Sequence, residues 1–220
     1  TRPAQESGQG MFKDMQTETF WARMDFRKAV LLLGLTVAVA FWAYGRGGTG
    51  GFLSQGKEVN GALHDIIRDS RTGFPMEEAR RLAEVIVDES RNYNIDPLFT
   101  AALIKTESGF RRGARSEKGA LGLMQIRLST GKGIAEELRL GWDGEKTLLN
   151  PYNNVKMGLY YLSMLFERYD KDAKAALAAY NLGPTELDER LSGGLAMPRV
   201  FAERVFANYT EFKERVNQRP

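Results

Sequence analysis

The chain has 220 residues, 43% hydrophobic and 27% charged, with 31 Lys and Arg against 28 Asp and Glu for a formal net charge of +3. This is the composition of a folded protein with one full core, which excludes disorder along the whole length, and the charge is too small to argue for nucleic acid. The lack of cysteine and the single histidine, His64, exclude a disulfide scaffold, a thiol nucleophile, a Cys-based metal site and any Ser–His triad without His64. Acid–base chemistry near neutral pH therefore falls to carboxylates.

Residues 29–44 read AVLLLGLTVAVAFWAY, sixteen positions without a charge, behind Arg23, Arg27 and Lys28 and ahead of Arg46. At about 1.5 Å per helical residue they span roughly 24 Å, between a short membrane anchor and the apolar core of a signal peptide. Both forms export the rest of the chain, with the basic flank inside and Trp21, Trp42 and Tyr44 placed for the two interfaces. Ala38-Val39-Ala40 offers a cleavage site and Met24 a start, whereas the 28 residues ahead of the run speak for an anchor. Five glycines within residues 45–51 then read as a flexible tether. The expected organisation is an N-terminal membrane-targeting segment over 1–44, a Gly-rich tether over 45–56 and a globular domain over 57–220.

Beyond the tether the apolar residues recur at three- and four-residue spacing, which predicts an all-α domain. Val59, Leu63, Ile66 and Ile67 mark a first helix. Pro75 opens a second through Ala79, Leu82, Ile86 and Tyr93, with Glu77 and Glu78 in its first turn. Asp96-Pro97 caps and starts a third, which Gly109 ends. An irregular loop extends from there to Gly122, with a short helical piece expected from Leu121 to Leu128. Asn150-Pro151 starts a long helix through Val155, Leu159, Leu162, Phe166 and Tyr169. A shorter one from Ala173 to Tyr180 is broken by Gly183-Pro184, and Pro198 opens a last helix carrying Val200, Phe201, Val205, Phe206, Tyr209 and Phe212.

Glu107 falls near the end of the third helix, one turn from Leu103 and Ile104. Apolar surroundings disfavour an ionised carboxyl and raise its pKa toward what a general acid needs, while Arg111 and Arg112 act in the opposite sense if they turn inward. A solvated residue at a helix end is the other reading of that position. The order of segments decides between them. Glu107-Ser108-Gly109-Phe110 is followed by Ser116, then Gly119-Ala120-Leu121-Gly122-Leu123-Met124-Gln125-Ile126, then Asn150-Pro151 with Asn154, Gly158, Tyr161 and Leu162, then Ala179-Tyr180-Asn181-Leu182-Gly183-Pro184.

This series resembles the lytic transglycosylases of the soluble-lytic-transglycosylase type, relatives of goose-type lysozyme, over about residues 75 to 212. The resemblance implies a lysozyme-like helical domain whose cleft binds the glycan strands of peptidoglycan. It also implies cleavage of the β-1,4 bond between N-acetylmuramic acid and N-acetylglucosamine, without water, leaving a 1,6-anhydro sugar. Glu107 would be the catalytic acid and then base, with Ser116, Met124, Gln125, Tyr180 and Asn181 as substrate-binding residues, and no metal or cofactor. Peptidoglycan is then the expected partner, with the membrane as a second if the N-terminal segment is uncleaved. No nucleic acid is expected, and the chain should be a monomer in the periplasm or cell envelope, tethered to the inner membrane or released.

Two stretches depart from the family pattern. Arg127-Leu128-Ser129-Thr130 stands where relatives usually carry a proline and a small residue, and Ala202-Glu203-Arg204 shifts the acid of the last helix by one, which leaves Glu203 outside the expected site. The basic run Arg111, Arg112, Arg115 and Lys118 either favours a substrate with peptide carboxylates or is a solvated loop. His64 is expected to be structural or at the surface. Two alternatives remain: a goose-type lysozyme-like hydrolase, needing a further carboxylate such as Asp143 or Glu145, and an idle lysozyme-like domain that only binds glycan or scaffolds.

Overall fold

The computed structural model describes residues 49–70 and 72–218, with side chains from residue 58 onward. The apolar run at 29–44 lies outside the described residues, and among those described no helix is long and apolar enough to cross a membrane. The all-α expectation holds for this part of the chain. Helix α1 spans Thr49–Asp69, so the last positions of the expected tether are helical, and it turns Ala62, Leu63, Ile66 and Ile67 inward. Helix α2, Met76–Asn92, buries Ala79, Leu82, Ala83, Ile86 and Val87, the inward stripe of a 3.6-residue period.

Helix α3, Pro97–Ser108, is the central element. Asp96 accepts from the backbone N–H of Leu98 at its start, and Gly109 closes its end in the left-handed region at φ 58°. Residues 98–104 are buried without interruption, so α3 is covered on every side. Two polar groups inside this core satisfy each other, since the hydroxyls of Ser90 on α2 and Thr100 lie 2.8 Å apart. Helix α9, Val200–Asn217, runs along α3. Phe99 meets Phe206 and Tyr209 at ring-centroid distances of 6.0 and 5.6 Å, and Asn208 donates to the Thr106 hydroxyl at 2.9 Å. The last helix thus starts at Val200, two residues past the proline expected to open it.

After α3 the chain turns through an irregular loop into a two-stranded antiparallel hairpin, β1 (Ala120–Leu121) with β2 (Ile126–Arg127). The helical piece expected between Leu121 and Leu128 is therefore corrected. Gly122 and Gln125 take left-handed conformations (φ 79° and 51°), which a right-handed helix does not admit. Helix α4, Leu128–Glu137, begins at once and takes in Gly131, Lys132 and Gly133. Gly131 is buried where a Cβ would sit about 3 Å from Leu148 and Trp142.

A short helix α5, Glu145–Leu149, leads to the long α6, Pro151–Arg168, capped by the Asn150 side chain. Helix α7, Ala173–Leu182, buries residues 175–180; its alanines allow close approach to α6. Gly183, at φ 99°, ends α7 and passes directly into α8, Pro184–Ser192, a helix the sequence pattern did not announce.

Candidate active site

Glu107 stands in the last turn of α3, where the continuous apolar wrapping of that helix ends at a cleft of about 710 Å³. The cleft is walled by the loop and hairpin after α3, by Tyr161 of α6 and by the C-terminal turn of α7 with its capping glycine. Burial pushes the Glu107 carboxyl up to about 8, and the Arg204 guanidinium on α9 works against that rise. Arg111 and Arg112 are not the opposing charges. Arg111 turns its Nε to the carbonyl of Ser108, and Arg112 pairs with Glu78 and lies over the Phe74 ring at 4.4 Å.

Of the expected binding residues, Ser116, Gln125, Tyr180 and Asn181 line this cleft together with Glu107. Their hydrogen bonds limit what each has left to offer. The Ser116 hydroxyl accepts from the backbone N–H of Ala120 at 3.0 Å, keeping its own proton to give. Gln125 donates through Nε2 to the carbonyls of Gly122 (2.9 Å) and Ala114 (3.2 Å), so its Oε1 is the free end. Tyr180 donates to the Met124 carbonyl at 2.8 Å, which leaves its oxygen as an acceptor. Burial, and after it the Glu107 carboxylate, push the Tyr180 hydroxyl far up, so it stays protonated. Asn181 is exposed, with no side-chain hydrogen bond to the described residues.

Met124 differs from expectation. Its side chain is wholly buried and packs against Gly158, where an added Cβ would collide with the Met124 sulfur. It forms the floor beneath the cleft, and its contribution to the wall is the carbonyl that receives Tyr180.

Asn154 is the residue whose role the sequence did not reveal. It is fully buried on α6, accepts from the Met124 N–H at 2.7 Å, and donates to the carbonyls of Leu121 (3.0 Å) and Leu148 (2.8 Å). One amide thus pins the hairpin turn to α6, and Gly122 passes so near that a Cβ there would collide with the Asn154 nitrogen. A polar residue beside the apolar stripe of α6 is the signal that marks it. Tyr161 rests against Tyr180 at 5.4 Å between centroids, and burial raises its hydroxyl pKa. Glu117, Lys118, Arg127 and Glu186 add charge to the cleft.

The remaining charged candidates are elsewhere. Asp143 pairs with Lys146 at 3.1 Å and Glu145 with Arg115 at 2.8 Å, and neither lines the cleft. Glu203 is exposed and also outside it. His64 lies on α1, its Nδ1 3.4 Å from Asp65.

A family model assigns this helical domain, with its one partly buried carboxyl in a polar cleft. The model described as the transglycosylase SLT domain matches residues 84–193, half of the chain, and the chain belongs to that family. Among curated relatives it is 35% identical over 119 residues to a Haemophilus influenzae protein named "Putative soluble lytic murein transglycosylase", covering 53% of this chain and 20% of that protein. The chain therefore spans about a fifth of the length of this relative. Among solved structures it shares its fold with the 70 kDa soluble lytic transglycosylase of Escherichia coli (TM-score 0.54, 23% identity, 60% of this chain and 24% of that one). It also shares it with the lytic transglycosylase Slt of Pseudomonas aeruginosa (TM-score 0.56, 21% identity, 72% and 30%).

Two outcomes test this geometry. Asn154→Ala strands the Met124 N–H and two carbonyls in the core, and urea unfolding should show a loss of about 3 kcal/mol; a loss below about 1 kcal/mol would remove the clamp from the account. For Glu107, a folded-state pKa near 8 against 4.5 for the free side chain means that the folded chain binds more protons between those values. The stability this contributes is complete below pH 4.5 and lost as pH rises through 8. Glu107→Gln, which does not titrate, should therefore gain on the parent across that window by on the order of 2 kcal/mol after allowance for screening, as read from unfolding curves at several pH values.

Proposed function

We propose that the domain is a peptidoglycan lytic transglycosylase cleaving the β-1,4 bond between N-acetylmuramic acid and N-acetylglucosamine, with Glu107 as acid and then base. The observation that carries this reading is the one cleft-lining carboxyl that burial holds protonated near neutral pH. Glu107 gives its proton to the glycosidic oxygen as the C1–O bond breaks, and the leaving sugar departs with a free hydroxyl. The substrate's own N-acetyl oxygen supports the anomeric carbon as positive charge develops there. Glu107, now a carboxylate, takes the proton of the 6-hydroxyl, whose oxygen closes on C1 to give the 1,6-anhydro ring. Both reacting groups belong to one sugar, so the entropy of bringing in a nucleophile is already met and no water is consumed. The carboxyl ends the cycle protonated.

Asn181 is free to give and accept hydrogen bonds from the sugar, the Ser116 hydroxyl to donate, and the Gln125 Oε1 to accept. The Tyr180 oxygen, its proton directed at Met124, accepts from the protonated Glu107 carboxyl or from the acetamido N–H. The substrate lies outside the cytoplasmic membrane, so the domain works in the cell envelope. The apolar run at 29–44 is the segment that would deliver it there, as a retained anchor or a cleaved leader.

A hydrolase would need a second carboxylate to align water, and Asp143 and Glu145 are spent on ion pairs outside the cleft. Glu117 and Glu186 line the cleft and are exposed, so they are the positions to test for that role. Purified sacculi digested in 18O-water should yield 1,6-anhydro ends without solvent oxygen. Glu107→Gln should lower the rate by at least about a thousandfold, and Glu117→Gln and Glu186→Gln should retain anhydro products. Reducing ends carrying 18O would establish a hydrolase, and no cleavage by the parent an idle domain. Because the reactive form is protonated, kcat/KM should fall as pH rises through about 8.

A further inference from the structure

A second hollow, of about 560 Å³, opens between the segment just after α1, the last turn of α3 with the loop beyond it, and α9, and Glu107 lines it as well as the cleft. Three cations converge on it: Lys105 of α3, Arg111 of the loop after it and Arg204 of α9. None of the three is in an ion pair with a described carboxylate, whereas Arg112 and Arg115 of the same loop are paired. Asp69, at the nearby end of α1, is held by Arg215 at 2.6 Å. Among the described residues Glu107 is the one acidic group lining the hollow, and burial keeps it largely neutral near pH 7.

The hydroxyls are just as uneven. Ser70, Thr106 and Ser108 donate to helix carbonyls, at 2.8, 2.8 and 3.2 Å. Thr72 also lines the hollow, and its Oγ1 is buried with no hydrogen-bond partner among the described residues. A buried hydroxyl without a partner is destabilising, and turning about the Cα–Cβ bond toward an acceptor in the hollow would satisfy it. Uncompensated positive charge together with an unused donor describes a seat for an oxyanion.

We propose that the hollow formed by Thr72, Lys105, Arg111 and Arg204 binds a compact oxyanion, a phosphate or carboxylate group, against the back of Glu107. Two sources present that chemistry: a free phosphate ion, and the carboxylate of a peptide substituent on a glycan lying in the neighbouring cleft. The second rests on the function proposed above; the first does not. Occupancy would neutralise Arg204, the charge that opposes the protonated form of Glu107.

The test follows the backbone amides of Thr72, Lys105 and Arg111 by NMR as inorganic phosphate is added to the full chain at constant ionic strength. A saturable response is expected. The pair Lys105→Gln with Arg111→Gln should weaken it by about tenfold, and Thr72→Val by about threefold. The charge-matched pair Lys132→Gln with Lys174→Gln, at exposed positions outside the hollow, should leave it within about twofold. A disaccharide carrying its peptide then identifies the source: displacement of phosphate by it and not by the peptide-free disaccharide assigns the seat to substrate carboxylates, and no displacement assigns it to free phosphate. No saturable response to phosphate, or equal weakening in the charge-matched pair, overturns the proposal. These readings need no turnover, so they remain separate from the failure or success of sacculus digestion.

Discussion

The cleft depends on one buried amide. Asn154 takes the N–H of Met124 and gives to the carbonyls of Leu121 and Leu148, so a turn that forms no regular ladder still has its backbone groups satisfied inside the core. Met124, held this way, presents its carbonyl to the Tyr180 hydroxyl, and α7 is thereby set with respect to α6 and the hairpin. Gly122 and Gly158 leave the room this needs, one beside the amide nitrogen and the other beneath the methionine sulfur. The wall facing Glu107 is therefore a rigid consequence of hydrogen bonding, although most of its length is loop.

Glu107 is the opposite kind of residue, one whose environment disfavours what it would be in water. Helix α3 is covered on all sides up to its last turn, and a carboxyl emerging there is desolvated by the same core that stabilises the helix. Arg204 reduces the effect without cancelling it. A carboxyl whose pKa is raised to about 8 holds its proton near neutral pH and still takes it back readily once it is lost, which the proposed role as acid and then base requires. The cost falls on the fold, as is common where function needs a strained or poorly solvated group.

Much of this was legible in the sequence. The stripes of α2 and α6, the Asp96-Pro97 start of α3, its Gly109 end and the Asn150 cap are local signals, and the structure uses each of them. The hairpin was not legible, because Leu121, Met124 and Leu128 carry a helical spacing while the left-handed backbone at Gly122 and Gln125 is imposed by contacts with α6, some thirty residues on. Helix α8 was hidden by Gly183-Pro184, which end one helix and begin the next without a connecting loop. Glu107, Ser116, Gln125, Tyr180 and Asn181, named as candidates from their order in the chain and the resemblance it carries, line one cleft. Met124 could not be told from a cleft residue without knowing where Gly158 lies. Arg204 comes from a helix nearly a hundred residues beyond Glu107, and only the packing of α9 along α3 brings its charge to bear.

The most direct measurement is the titration of the Glu107 side-chain carboxyl itself, followed by carbon-13 NMR in the intact domain and assigned with Glu107→Gln. A midpoint near 8 is expected, displaced from the 4.5 of a free side chain. A midpoint in the ordinary carboxylate range would mean that the residue is solvated and already ionised at neutral pH, and would contradict its assignment as the proton donor.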